Sequence, residues 1–207
     1  MKELTAIYEE LYGHYGPQNW WPGEGLEIAV GAVLTQQTSW SNVEKALCKI
    51  KENKCMNLNC LHTLPISKLE ELIKPSGYYR IKAQRIKNLI DLLMKNPIPN
   101  RNMLLGVNGI GNETADSILL YQFEQPYFVI DEYTFRILER LGIYRGRNYL
   151  ELQRIFMESI PNDIQIYKEY HALLVVHAKS CCIKHNPNCL TCPLKSRCKY
   201  YMKTMSD

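Results

Sequence analysis

Apolar residues recur every three or four positions along most of the chain, which places them on one face of an α-helix. The pattern is clear in LEIAVGAVL, NVEKALCKI, AQRIKNLIDLLMK, TFRILERLGI and YKEYHALLVVHAKSC, and no region sustains the alternation of a β-strand. Turn-forming segments such as NWWPGEG, PSGYY, NPIPNRN and GVNGIGN separate these stretches. The pattern therefore predicts an all-α protein.

The composition is that of an ordinary globular protein. The chain has 207 residues, of which 46% are hydrophobic and 22% are charged, enough for one domain or two small ones. Its amphipathic start lacks the apolar core of a signal peptide, and no stretch approaches the roughly 18 apolar residues of a membrane span. We therefore expect a cytoplasmic protein. The net charge of +4 allows a polyanionic partner without requiring one.

Five of the eight cysteines lie within 18 residues near the C-terminus, whereas Cys48, Cys55 and Cys60 are scattered. In a reducing compartment such a cluster is more often a metal site than a set of disulfides. Thiolates suit zinc and [4Fe-4S] equally by ligand type, but zinc sites more often show two separated C-x2-C pairs, and only one is present. The single pair therefore favours an iron-sulfur cluster over zinc, and a disulfide is the least expected.

A glycine-rich turn in GVNGIGNETADSILL joins two apolar segments. Gly109 and Gly111 would let the backbone approach another backbone closely, and the amides that open the next helix, near Thr114, carry partial positive charge. Such a turn can bind phosphate. A simple tight turn between packed helices explains the glycines equally well.

An isolated aspartate, Asp131, follows Val129 and Ile130, 20 residues after Gly111. It is well suited to cap the helix TFRILERLG. A carboxylate can also stabilise positive charge on a sugar and activate water, and the two roles are compatible. Its apolar neighbours favour restricted access of water and a raised pKa.

The turn VNGIGNETA resembles the helix-hairpin-helix of the DNA glycosylase superfamily that includes endonuclease III, and VID falls where that family keeps its catalytic aspartate. GAVLTQQTSW, PSGYYRIKAQRI and CIKHNPNCLTCPLKSRC extend the resemblance over about residues 18–200. It implies a two-lobed helical fold, with a six-helix lobe over residues 20–127 and a cluster lobe made of residues 1–19 and 128–207. It further implies a [4Fe-4S] cluster on Cys182, Cys189, Cys192 and Cys198, with Cys181 as a bystander. It also implies a monovalent cation at the hairpin and catalysis by Asp131.

Strand-cutting members of the family carry a lysine two residues after the second hairpin glycine, and here that residue is Glu113. Lyase chemistry requires an amine nucleophile, which neither a carboxylate nor the neighbouring Asn112 provides. The resemblance and this departure together predict a monofunctional DNA glycosylase, without AP lyase activity, that hydrolyses the base-sugar bond. Its expected partner is double-stranded DNA with a damaged base, and we expect a nucleoid-associated monomer.

NWWP, GAVLTQ and an aromatic residue at Trp40 are similar to the bacterial 3-methyladenine DNA glycosylases of this superfamily. That resemblance implies a flipped base between Trp20 and Trp40, with Trp21 and Pro22 on the pocket wall, although core packing is the usual role of tryptophan. Electron-rich indole faces favour a cation, so the expected substrate is 3-methyladenine or another alkylated purine.

Other residues are candidates for contacts with DNA. Gln36 and Gln37 occupy the loop from which related enzymes insert a side chain into the duplex, and Gln37 is the closer match. The lysines and arginines after PSGYY either contact phosphates or form an ordinary charged helix face. Lys195 and its basic neighbours in the cysteine segment favour phosphate contact. The full set of candidates is Gln37, Gly109, Gly111, Thr114 and Lys195, with Lys82, Arg85, Lys87, Lys184, Arg197 and Lys199 as weaker ones.

Two alternative functions stay open. The first is a thymine or uracil mismatch glycosylase, since tryptophan pockets also accept neutral bases. A non-catalytic protein that binds DNA structures would need only the hairpin, and the presence of Asp131 with the tryptophans disfavours it. Removal of adenine is disfavoured because Ala32 stands where adenine-specific relatives carry a glutamate.

Overall fold

The computed structural model describes residues 2–204, which form helices, turns and loops without a β-strand. The prediction of an all-α fold is confirmed. The chain divides into two compact units, one of Trp21–Gln125 and the other of Met1–Trp20 with Pro126–Asp207. Across the described range, no helix is both long and apolar enough to cross a membrane.

Twelve α-helices are found among the described residues. In chain order they are α1 (Lys2–Tyr15), α2 (Leu26–Leu34), α3 (Trp40–Glu52), α4 (Leu58–Thr63), α5 (Ile66–Ile73), α6 (Tyr79–Lys95), α7 (Arg101–Leu105), α8 (Asn112–Tyr121), α9 (Glu132–Leu141), α10 (Tyr149–Ser159), α11 (Ile164–Ser180) and α12 (Lys199–Thr204). The unit of residues 21–125 holds seven of them, one more than the sequence suggested, because Leu64 and Pro65 separate the short helices α4 and α5.

The core of the 21–125 unit contains a buried lysine on α6. Lys82 is only 1% exposed, and its ammonium donates hydrogen bonds to the carbonyl oxygens of Leu34 (2.8 Å) and Ser76 (2.7 Å). Burial, with a smaller contribution from Arg85, lowers the pKa of Lys82 to about 8. Lys82 therefore ties the end of α2 to the 3-10 turn Lys74–Ser76, and the expectation that it contacts phosphate or lies on a solvated face is wrong.

A buried ion pair joins α7 to α8. Asp116 is completely buried and accepts two hydrogen bonds from the Arg101 guanidinium, 2.7 Å from Nε and 3.1 Å from Nη2. The same guanidinium donates to Oδ1 of Asn112 (2.8 Å) at the start of α8. These bonds fix the two helices that flank the glycine-rich turn.

A disulfide links Cys55, in the connection between α3 and α4, to Cys60 within α4, with 5.1 Å between the Cα atoms. The scattered positions of these cysteines in the sequence did not predict this pairing. Within the chain segment they span, Asn57 caps α4 by accepting a hydrogen bond from the Cys60 amide (2.9 Å).

Aromatic side chains form much of the core of the other unit. Phe128 and Phe156 stack with ring centroids 4.2 Å apart, and Tyr170 packs edge-on against both rings. The Tyr170 hydroxyl donates to the Leu4 carbonyl (2.9 Å), which attaches α1 to α11. Helix α9 packs against α11 and ends at Leu141, followed by Gly142, whose φ of 80° suits a glycine cap.

Asp116→Asn is expected to destabilise the protein by about 3 kcal/mol, because it leaves the Arg101 charge without its buried counterion. Urea unfolding followed by circular dichroism measures the effect. The matched control is Glu71→Gln, which breaks an exposed ion pair with Lys68 and should leave the unfolding midpoint unchanged. Equal midpoints for the two variants would contradict the role assigned to the buried pair.

Candidate active site

Two glycines flank Ile110 in the turn between α7 and α8, and only one of these two positions requires glycine. Gly109 has φ of 87°, and an added Cβ would lie 2.2 Å from Nε of Arg85. Gly111 has extended backbone, φ −91° and ψ −178°, and an added Cβ there would meet no protein atom within 4 Å. Gly109 is thus needed by the protein itself, whereas Gly111 leaves open space beside the first amides of α8. The monovalent cation expected at this turn stays a prediction.

One glutamine side chain links this turn to the loop after α2. Nε2 of Gln36 donates to the Gly109 carbonyl (3.1 Å) and to the Thr114 hydroxyl (3.1 Å), and Oε1 accepts from Arg85. Thr114 is 7% exposed, so its hydroxyl serves this internal network. Gln36 and Arg85 therefore hold the two loops in register, a role that residue types alone did not reveal.

The next residue in the loop points elsewhere. Gln37 is exposed and adopts φ of 54°, a left-handed conformation that is uncommon for a non-glycine residue and often marks a functional position. Of the basic residues on α6, Arg85 is engaged by Gln36, and the Lys87 ammonium donates to the carbonyls of Leu61 (2.7 Å) and His62 (2.8 Å).

Aromatic rings gather on the same unit. The ring centroids of Trp21 and Trp40 are 5.1 Å apart in an edge-to-face contact of 86°, and Tyr121 lies 5.5 Å from Trp21. Gly31 allows this packing, because a Cβ there would lie 3.1 Å from Cζ2 of Trp21. Tyr121 was not singled out in the sequence, where it reads as one more apolar position of α8.

Trp20 and Pro22, the other two residues of the WWP segment, differ in exposure and belong to different units. Pro22 is exposed, and Trp20 is the last residue of the segment that belongs to the other unit, where it is half-buried. The structure therefore brings Trp21 and Trp40 into contact. The roles expected for Trp20 and Pro22 stay predictions.

Asp131 is the N-cap of α9. Its Oδ1 accepts hydrogen bonds from the amide (2.7 Å) and the hydroxyl (2.8 Å) of Thr134. The side chain is 11% exposed, with apolar Val129 and Ile130 preceding it in the core. The capping role considered from the sequence is thus present, and it fixes the direction of the carboxylate.

A histidine from α11 lies against the second oxygen of this carboxylate. Nε2 of His171 is 3.6 Å from Oδ2 of Asp131, and the His171 side chain is 8% exposed. Burial opposes ionisation of Asp131, but the contact with His171 and the two Thr134 hydrogen bonds outweigh it and lower the pKa of Asp131 below its ordinary value. The expected rise of this pKa is wrong, because His171, 40 residues later in the chain, packs against the carboxylate.

The clustered cysteines line one cavity of the unit that holds the termini. Cys182, Cys189, Cys192 and Cys198 contribute to its wall, and so does Cys181. Arg140 donates to Sγ of Cys182 (3.2 Å) and to the Ile183 carbonyl (2.7 Å), which closes the segment over α9. Burial raises the pKa of Cys192 to about 12, so a bound metal would have to displace its proton. Four thiols facing one cavity fit a metal cluster.

Cys181, which the sequence predicts to be a bystander, lies close to one of the expected ligands. His177, Cys181 and Cys192 have ligand atoms within 4.8 Å of one another, and Nε2 of His177 lies 3.8 Å from Sγ of Cys192. Sγ of Cys181 donates to the Asn188 carbonyl (3.3 Å). The geometry therefore offers a second possible ligand set, which the spacing of the cysteines did not suggest.

Basic side chains surround an open groove on this unit. Its lining is dominated by lysines and arginines, including Arg145, Lys184 and Lys203, with Glu132 and Glu139 as the acidic members. Lys195 is exposed and donates to the Leu190 carbonyl (3.1 Å), whereas Arg197 is paired with Glu10. The surface carries a charge suited to a polyanion.

Gly109→Ala is expected to lower the melting temperature, since alanine at that φ is strained and collides with Arg85. Gly111→Ala is the matched control and should melt like the wild type. If the open space beside Gly111 serves an approaching phosphate, that same variant should bind duplex DNA more weakly in fluorescence anisotropy. Equal stability of the two variants would contradict the assignment.

A family model described as an HhH-GPD superfamily base excision DNA repair protein matches residues 30–162. A Methanocaldococcus jannaschii protein named as a DNA repair glycosylase is 42% identical to this chain over 210 residues. The alignment covers 94% of this chain and 95% of that protein. The structure of the Helicobacter pylori 3-methyladenine DNA glycosylase bound to 1,N6-ethenoadenine is similar, with TM-score 0.76, 30% identity and coverage of 86% and 94%.

A non-covalent complex of endonuclease III with DNA shares the fold, with TM-score 0.88, 24% identity and coverage of 100% of this chain and 98% of that one. The resemblance inferred from the hairpin and from VID is confirmed. The chain belongs to the HhH-GPD superfamily of base excision DNA repair proteins and has the endonuclease III-like fold of a DNA glycosylase.

Proposed function

We propose that this protein is a monofunctional DNA glycosylase that hydrolyses the base-sugar bond of cationic alkylated purines such as 3-methyladenine in double-stranded DNA. The observation that carries the proposal is Asp131, a buried carboxylate with one oxygen held by its own helix and a pKa below the ordinary value. It is therefore ionised throughout the physiological pH range.

An ionised carboxylate suits the chemistry of this bond. Cleavage builds positive charge on the deoxyribose, which the Asp131 carboxylate stabilises, and the same group can orient or deprotonate the attacking water. Oδ2, which lies 3.6 Å from Nε2 of His171, is the oxygen proposed for this role, because Thr134 occupies Oδ1. An alkylated purine leaves as a neutral base, so a strong general acid is unnecessary.

The aromatic cluster supports the choice of substrate. A flipped base loses its stacking in the duplex, and the faces of Trp21, Trp40 and Tyr121 can replace it. Indole faces also attract cations. Trp20 is proposed as a further stacking face for the flipped base, and Pro22 as part of the pocket wall. The similarity to a 3-methyladenine glycosylase is in line with this choice.

Contacts with DNA are assigned to four features. The first amides of α8 beside Gly111 bind a backbone phosphate, and Gln37 enters the gap left by the flipped base. Exposed Lys195 and the groove around Lys184 attract further phosphates. The protein acts as a monomer in this proposal.

The absence of lyase chemistry rests on the first turn of α8. Glu113 is exposed at the position of the family lysine, and Asn112 accepts a hydrogen bond from Arg101. Neither side chain is an amine, so neither can form a Schiff base with the sugar.

We also propose a [4Fe-4S] cluster on Cys182, Cys189, Cys192 and Cys198. When bound, it would cross-link the segment between α11 and α12 through four thiolates. Arg140 and Arg136 then hold the Cys182 carbonyl (3.3 and 3.0 Å) and the shape of a basic loop.

The substrate is tested by single-turnover release from duplexes that contain 3-methyladenine, 7-methylguanine, uracil opposite guanine or thymine opposite guanine. Release of the alkylated purines without strand cleavage is expected. Borohydride should trap no covalent adduct, while an endonuclease III treated in parallel provides the positive control. Release confined to uracil or thymine would contradict the alkylated-purine substrate and indicate a mismatch glycosylase. A trapped adduct would overturn the hydrolytic mechanism.

The cluster is tested in the purified protein by iron content and absorption near 400 nm. Cys192→Ser should abolish both signals, whereas Cys181→Ser should keep them, because Cys181 lies outside the proposed ligand set. Stoichiometric zinc without iron would overturn the cluster. Loss of iron in Cys181→Ser would assign that residue to the ligands instead.

A further inference from the structure

Trp40 is held by a carboxylate one helical turn away. Its indole Nε1 donates to Oε1 of Glu44 at 2.8 Å, both residues lying on the first turns of α3. Residues four apart on a helix face the same side, so the bond restrains the indole without distorting the helix. The edge contact with Trp21 restrains the same ring from a second direction.

The acceptor in this hydrogen bond carries a negative charge. A donor bonded to an anion is polarised, which moves electron density from the N–H toward the ring and makes the indole faces more attractive to cations. Glu44 is exposed, and within the described part of the chain no lysine or arginine neutralises it, whereas Glu27 of the same unit is paired with Lys51. The charge at the edge of the Trp40 ring is thus uncompensated.

We infer that Glu44 is a specificity-determining residue that selects positively charged bases at the Trp40 ring, an inference that rests on the proposed function. A cationic alkylated purine gains both stacking and attraction to the Glu44 charge. A neutral base gains stacking alone. The residue deepens the proposed substrate class without taking part in bond cleavage.

The direction of the charge transfer determines which kinetic step Glu44 affects. Positive charge leaves the base and moves to the sugar as the bond breaks, so a carboxylate beside the base stabilises the bound substrate more than the transition state. Glu44 should therefore strengthen capture of a cationic base while leaving the release rate at saturation unchanged or slightly lower.

The test compares binding of two duplexes that resist hydrolysis, one with 7-methyl-2′-fluoro-2′-deoxyguanosine and the other with 2′-fluoro-2′-deoxyguanosine. A slightly acidic buffer keeps the methylated base cationic. Glu44→Gln preserves an oxygen acceptor for Trp40 but removes the charge. We expect it to reduce the preference for the cationic duplex about fivefold in fluorescence anisotropy.

Two further variants separate charge from position. Glu44→Ala removes both charge and hydrogen bond and should reduce the preference at least as much. Glu52→Gln changes an exposed carboxylate at the end of the same helix, bonded to Cys48, and should keep the wild-type preference. Single-turnover release from methylated DNA at saturating Glu44→Gln should stay within about twofold of wild type.

A wild-type preference in Glu44→Gln would overturn the inference, and so would a wild-type protein that binds both duplexes equally. A loss confined to Glu44→Ala would assign Glu44 to positioning of Trp40 alone and overturn selection by charge. Failure of the proposed function looks different: the wild type would prefer the cationic duplex in binding yet release no methylated base.

Discussion

Two hydrogen bonds to one oxygen atom determine what Asp131 can do. Because Oδ1 accepts from both the amide and the hydroxyl of Thr134, the carboxylate cannot rotate freely, and Oδ2 is left facing His171. The contact with His171, together with these two bonds, lowers the pKa of Asp131 despite its burial. A residue that begins a helix is thereby also a fixed negative charge, and the capping role provides the positioning that a catalytic carboxylate needs.

In the unit of residues 21–125, internal contacts likewise fix the loops in place. Gln36 joins the loop after α2 to the glycine-rich turn, and Arg85 fills the space above Gly109 that a side chain would otherwise occupy. Lys82 fixes the end of α2 from inside the core. These residues are engaged internally, whereas Gln37 is exposed and Gly111 has open space beside it, so these two positions are the ones proposed to meet DNA. A rigid framework of this kind holds the loop residues in a defined position.

Features carried by local sequence could be predicted, and features created by packing could not. Helical periodicity, the glycine turn and an aspartate before TFRILERLG all act over a few residues, and the all-α fold and the cap follow from them. His171 reaches Asp131 from another helix, so neither the contact nor the lowered pKa was visible. The burial of Lys82 could not be predicted, because it depends on the carbonyl groups of Leu34 and Ser76, which only the folded chain brings to its ammonium group.

The central claim is that the charge of Asp131 drives base release, separately from its role as a cap. Asn and Ser both cap helices, so Asp131→Asn and Asp131→Ser keep a side-chain acceptor for Thr134 and remove the charge. Single-turnover release from methylated duplex, measured together with thermal unfolding, is the most direct test. We expect near-wild-type melting temperatures, with base release slowed at least about a hundredfold. Release at the wild-type rate by either folded variant would contradict it.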